Sequence, residues 1–347
     1  MRLVRNPNHF CDPIGLTDMA ALGLLATALL AAGFAGSADP PTGLRVATFI
    51  ASSMVLPREP HSARVWGWAK PGARIWVTLP TPGIAVTVTA DGGGAWVAAL
   101  PPQSASTSGQ LLTISDGSTK ITLYDVLFGD VWLCSGQSNM EFSVNGAFNA
   151  TAEIADAARY VNLRMATTQK QASDYPKDDV RHRGPAAWLA TSDARAFYTP
   201  PSESPSFSDV FMWPSAVCYF FARHVYVANG GKVPIGMVGS DWGGQSVQSF
   251  SSPDALADVT CGGTVPASTG HAASAPSPPA YAQPDSDPEP NPVPNPEPTQ
   301  LWNGLIYPLL NFRFAGAVWY QARRDLLPRC AAERPRLQLE RLRASAG

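Results

Sequence analysis

A chain of 347 residues has room for about two domains and a sizeable core. Charged residues make up only 15% of it and the formal net charge is −2, which argues against nucleic acid or an anionic membrane surface as a partner. The aromatic content of 10%, with ten tryptophans, suits a protein that handles sugars, and suits equally a Trp-rich core or surface.

The first element is a leader. Residues 19–38, "MAALGLLATALLAAGFAGSA", form an unbroken run of apolar and small residues, with Gly36 and Ala38 at the small positions before a cut at Asp39. Arg2, Arg5 and Cys11 lie in a long segment ahead of it, and Met19 is an alternative start. The run is at the short end for crossing a bilayer. Residues 1–38 are therefore read as a signal peptide region rather than an anchor, with no membrane span in the mature chain. Secretory entry places the cysteines in an oxidising setting. Cys134, Cys218, Cys261 and Cys330 follow the leader, and no C-x-x-C spacing links them as metal ligands. Cys134 and Cys218 sit in apolar sequence and are read as packed thiols rather than a bridge. Asn149-Ala150-Thr151 is a glycosylation sequon.

Residues 39–128 read as a small antiparallel β-sandwich. "RVWGWA", "ARIWVTL", "IAVTVTA", "AWVAAL", "QLLTIS" and "KITLYDVLF" are short runs rich in Val, Ile, Thr and Trp. Turn signals lie between them at Pro71-Gly72, Pro82-Gly83, Asp91-Gly92 and Asp116-Gly117. From Gly129 the texture changes to strands alternating with helices, which implies a parallel sheet. "DVWLCSG" is a strand, a helix follows near residues 151–158, and a second helix spans residues 215–228 with Val217, Phe220, Phe221 and Val225 spaced on it. "VPIGMVGSDWGG" and "FAGAVWYQ" read as further strands. Residues 265–300 carry eleven of the 33 prolines and are read as a disordered insertion, because "LWNGLIYPLL" resumes helical spacing at once. Residues 322–347 form an Arg-rich tail with little that packs.

The chemistry starts at "GDVWLCSGQSNMEFSV". Val131, Trp132 and Leu133 end a buried strand, Gly136 allows a tight turn, and Ser138 then stands at the carboxyl end of a strand, where open α/β sheets place ligands. "FGDVWLCSGQSNM", "FNATAEIADAARY", "SAVCYFFARHVY", "PIGMVGSDWGG" and "LWNGLIYPLL…AGAVWYQ" together resemble the sialate O-acetylesterase family of the SGNH hydrolase superfamily. The resemblance covers about residues 45–321, less the Pro-rich stretch.

That resemblance implies a flavodoxin-like three-layer α/β domain at residues 129–321, bearing the β-sandwich, with no cofactor or metal. It implies that Ser138 is the nucleophile, attacking the acetyl carbonyl of an O-acetylated sialic acid or another acetylated sugar. The Ser138 backbone N–H and that of Gly243 or Gly244 are the implied oxyanion-hole donors, and Gln137 and Asn139 are expected to brace the loop. A secreted or lysosomal protein is implied.

A serine nucleophile also needs a histidine, itself oriented by a carboxylate. In the family those come from a segment far toward the C-terminus, after a Gly-Glu-x-Asn block that supplies a third oxyanion donor. Here Gln321 is followed by "ARRDLLPRC", and neither block nor later segment is present. His9, His61, His224 and His271 are poorly placed to substitute. Asp179-Val180-Arg181-His182 has the D-x-x-H spacing of SGNH enzymes but lies between the nucleophile and the Trp-Gly-Gly block, out of family order; it is read as a solvated loop. Gln245 stands where the family usually has Thr. The expectation is an acetylesterase-type chain, C-terminally truncated and inactive. The alternatives are a non-catalytic secreted glycan- or partner-binding protein, and an acetyl esterase for other polysaccharides.

Overall fold

The computed structural model describes residues 41–198, 207–257 and 296–321. The expected leader, residues 258–295 of the Pro-rich region, His271, Cys261, Cys330 and the Arg-rich tail lie outside the described residues. Eight strands come first: β1 (Arg45–Val46), β2 (Val55–Pro57), β3 (Ala63–Trp68), β4 (Arg74–Leu79), β5 (Ile84–Thr89), β6 (Ala95–Leu100), β7 (Ser106–Ser115) and β8 (Lys120–Gly136). One sheet runs β1-β3-β6 and the other β5-β4-β7-β8, with β2 parallel to β8. The four turn signals all fall between consecutive strands. Alternation sets the faces: in β4, Ile75, Val77 and Leu79 are buried while Arg74 and Trp76 face out.

The α/β region carries α1 (Ser138–Glu141), α2 (Ala150–Asp156), β9 (Leu163–Thr167), β10 (Leu189–Ala190), α3 (Ala216–Ala228), β11 (Ile235–Asp241), α4 (Pro253–Ala257) and β12 (Gly316–Tyr320). Its sheet runs β10-β9-β11-β8-β12; β9, β11, β8 and β12 are parallel, and β10 is antiparallel. The boundary expected at residue 129 falls inside β8, whose 17 residues serve both sheets.

Alternation along β8 also builds the layers. Val131 and Leu133 join the core shared with the sandwich and with Leu301, Leu305, Leu309 and Phe312 of the helical turns after residue 300. Cys134 and Trp132 face the other way, against α3, whose Tyr219, Ala222 and Tyr226 pack on Leu163, Met165, Ile235 and Met237. Ser215 caps α3, its Oγ accepting from Cys218 N at 3.2 Å. The protein is thus an α/β fold of three layers with an attached sandwich. Among the described residues no helix is long and apolar enough to cross a membrane.

The cysteine reading is corrected. Cys134 and Cys218 form a disulfide, joining β8 to α3 with Cα atoms 6.0 Å apart. Their apolar surroundings are the α3–sheet interface itself, which brings together two residues 84 apart in sequence. A loop of that size constrains the unfolded chain strongly. Reduction, or the double change Cys134→Ala/Cys218→Ala, should lower unfolding stability by about 2–4 kcal/mol. Thermal melts with and without reductant measure this, and identical melts would show that no bridge forms.

Candidate active site

Three strand ends converge on the turn after β8. Gly136 has φ +142°, and a Cβ there would lie 2.2 Å from the Tyr320 carbonyl oxygen, so only glycine fits against β12. The Gln137 N–H donates to Tyr320 O at 3.1 Å, and the Trp242 N–H, just beyond β11, donates to Gly136 O at 3.1 Å. The chain then turns into α1, and Ser138 is its first residue. Ser135 is fully buried and donates its hydroxyl to Ser240 O at 2.6 Å. Ser138 keeps accessible surface. Of the two serines at this strand end, Ser138 is therefore the one with accessible surface.

The Trp242-Gly243-Gly244 turn lies against it. A Cβ on Gly243 would sit 3.3 Å from Ser138 Cβ and 3.0 Å from Glu141 Oε2. Gly244 has φ +79° with open space beside its Cα. The Gly243 N–H donates to Glu141 Oε2 at 2.7 Å. That bond engages the Gly243 N–H. Glu141 is 2% exposed. Its other oxygen is 2.5 Å from Lys170 Nζ and 3.7 Å from Arg183 Nη1. Asp241 joins this cluster at the end of β11. Its carboxyl is packed in protein although the residue retains some surface. Burial, then the charge of Glu141, pushes it up to about 7, against the opposing pull of Arg183 and Lys170.

Gln137 and Asn139 are the residues expected to brace this loop. Gln137 acts through its backbone, and Asn139 is exposed. Gln245, buried, donates from Nε2 to Gly243 O at 3.2 Å, and Gln321 Nε2 donates to Gln245 O at 2.9 Å. Asn149 is exposed at the start of α2 with φ +60°.

Asp179 and His182 do not form a solvated loop. The Asp179 carboxylate accepts from Thr48 N at 2.9 Å and Thr48 Oγ1 at 3.0 Å, tying this loop to the sandwich. Its pKa is raised, chiefly by burial, with the Thr48 hydrogen bonds acting against that. His182 pairs with Thr168 and lines a small cavity with Thr48, Phe49 and Val180. The adjacent Arg183 reaches toward Glu141, its Nη1 3.7 Å from Oε1. His61 is exposed in the sandwich, and His224 is exposed on α3, its Nδ1 2.6 Å from Phe220 O. Among the described residues no histidine or carboxylate hydrogen-bonds the Ser138 hydroxyl, and no metal-binding cluster occurs.

Sequence reasoning missed Glu141, Lys170, Arg183 and Asp241. Only Glu141 carried a signal, as a charge set directly in "SNMEF" three residues after Ser138.

No family profile matches the chain. It is 31% identical over 295 residues to the sialate O-acetylesterases of Pongo abelii and Homo sapiens, and 33% identical over 292 residues to that of Mus musculus. These matches take in 80–82% of this chain but 49–52% of the relatives, so the chain spans about half their length. Its fold is similar to a carbohydrate acetylesterase from Xanthomonas citri, with TM-score 0.63 and 27% identity over 87% of this chain and 57% of that one.

Asp241 makes stability depend on pH. An unfolded Asp releases its proton near pH 4, whereas the folded one holds it to about 7. This carboxyl therefore favours folding below about pH 4, and the advantage is lost as pH rises through about 7. Asp241→Asn should flatten the decline in Tm between pH 5 and 8 and raise stability at pH 8 by at least ~1 kcal/mol, roughly 2–4 °C. Parallel Tm–pH curves for parent and variant would contradict the assignment.

Proposed function

The chain belongs to the sialate O-acetylesterase family over the region it shares with those relatives, and on that premise we propose that Ser138 is the nucleophile of an acetylesterase site for O-acetylated sialic acids. The observation that carries this is the accessible Ser138 at the carboxyl end of β8, packed against the Gly243–Gly244 turn. In the reaction, Ser138 Oγ bonds to the acetyl carbonyl carbon while its proton passes to a base. The N–H group of Ser138, with one from the Gly243–Gly244 turn, stabilises the negative charge that develops on the carbonyl oxygen. Collapse of the tetrahedral species releases the sugar hydroxyl, which takes up a proton, and leaves acetyl-Ser138. Water then releases acetate. The likeness to a carbohydrate acetylesterase supports a second substrate class, acetylated sugars other than sialic acid.

The step that lacks a group here is proton transfer, because no described histidine serves Ser138 and the Gly-Glu-x-Asn block is replaced by Ala322-Arg323-Arg324-Asp325. We therefore propose that this chain is inactive or nearly so. Loss of triad members costs on the order of 10⁴–10⁶ in rate. The Cys134–Cys218 bridge and the exposed Asn149 support a secretory route, with Asn149 glycosylated.

The test uses 9-O-acetylated sialic acid and 4-nitrophenyl acetate with the parent chain, Ser138→Ala and His182→Ala. Hydrolysis by the parent should not exceed that of Ser138→Ala. A fluorophosphonate probe should still modify Ser138 slowly, and peptide mass spectrometry should find no adduct in Ser138→Ala. Strong hydrolysis abolished by both substitutions would overturn the inactivity and make Asp179–His182 the working pair. Hydrolysis or labelling indifferent to Ser138→Ala would sink the nucleophile assignment.

A further inference from the structure

We infer that Glu141 is a positioning residue, which holds the Trp242-Gly243-Gly244 turn against Ser138 by accepting the Gly243 N–H. The inference rests on the acetylesterase reading for its functional meaning, but the clamp itself stands on geometry. Glu141 lies three residues after Ser138 in α1, so one helical turn carries both the nucleophile and the acceptor. Its Oε2 receives the Gly243 N–H at 2.7 Å, and a Cβ on Gly243 would crowd both Ser138 Cβ and Glu141 Oε2. The other oxygen meets Lys170 and Arg183, which come from the segment after β9. Lys170 Nζ also lies 5.7 Å from the centre of the Trp242 ring, a second contact with the same turn.

Three segments far apart in sequence thus close on one carboxylate that is 2% exposed. An ion pair buried this deeply is a poor source of stability compared with apolar packing. What it supplies is direction. A charged acceptor on a backbone N–H is shorter and stronger than a neutral one, and fixes the turn where a neutral side chain would leave it looser. Because Gly243 is held, the orientation of the next peptide, which presents Gly244, is set as well. Gln245 and Gln321 hold the same turn from its carbonyl side.

The test reads the clamp directly in the full chain. There are two Trp-Gly dipeptides, Trp66-Gly67 and Trp242-Gly243. Labelling with carbonyl-13C tryptophan and 15N glycine therefore gives two correlations in an HNCO spectrum, with Gly67 as an internal control for folding. The Gly243 amide proton should resonate downfield in the parent and move upfield in Glu141→Gln, with Gly67 unmoved. Lys170→Met, which leaves Glu141 in place but removes its nearer cation, should move Gly243 alone and by less. That variant decides the matter if Glu141→Gln does not fold. The rate of Ser138 phosphonylation should fall on the order of 10²-fold in Glu141→Ala, the cost of about 1 Å of misplacement, and recover partly in Glu141→Asp. A Gly243 resonance that ignores both Glu141→Gln and Lys170→Met would overturn the clamp. A Gly243 shift without change in labelling rate would overturn the positioning role. Absence of Ser138 labelling in the parent would count against the esterase reading, while the Gly243 shift would still decide the clamp.

Discussion

The rest of the structure depends on one strand being shared by two sheets. Residues 120–128 of β8 pair with β7 and β2, and residues 130–136 pair with β11 and β12. A strand cannot shift by one residue without reversing the faces of its side chains. Here that would expel Val131 and Leu133 from one core and Trp132 and Cys134 from the other. Each fully buried aliphatic side chain contributes roughly 1.5–3 kcal/mol. The register of β8 is thereby fixed on both sides, and with it the place where the chain turns at Gly136 and presents Ser138. Polar ties reinforce the joint. Arg58 forms a two-pronged ion pair with Asp130, Arg164 reaches Asp125, and Asp179 receives three hydrogen bonds from Thr48.

The site built at that strand end carries a cluster of four charged side chains. Two carboxylates, Glu141 and Asp241, share two cations, Lys170 and Arg183. Glu141 has the direct ion pairs, and Asp241 answers the same field by holding its proton longer. Burial, and then the charge of Glu141, raises the Asp241 pKa. The cluster touches the Trp242–Gly244 turn directly, through the Gly243 N–H on Glu141 and Lys170 beside the Trp242 ring.

The Asp179–His182 spacing shows how a motif can be present and its chemistry elsewhere. A D-x-x-H pair can serve a serine only if its imidazole faces that serine. Asp179 instead accepts from Thr48 along both a backbone and a side-chain donor, and His182 lines a small cavity with Thr48, Phe49 and Val180. Among the described residues, no hydrogen-bonded relay joins Ser138 to the D-x-x-H sequence.

The sequence by itself determined the local elements. Period-two apolar runs with Pro-Gly and Asp-Gly turns determined the sandwich strands, and the Gly-Gln-Ser-Asn block placed Ser138 at a strand end. Apolar spacing located α3, although its buried face is Cys218, Tyr219, Ala222 and Tyr226 rather than the half-buried Val217, Phe220, Phe221 and Val225. These are short-range properties, written within a few residues of one another. Only the tertiary structure decided that Cys134 and Cys218 are bridged, that the expected boundary at residue 129 lies within one strand, and that Glu141, Lys170, Arg183 and Asp241 form a cluster. Each of those facts is a contact between residues tens of positions apart. Such contacts follow from which faces of β8, β9 and β11 meet, and a linear pattern of hydrophobicity does not encode that meeting.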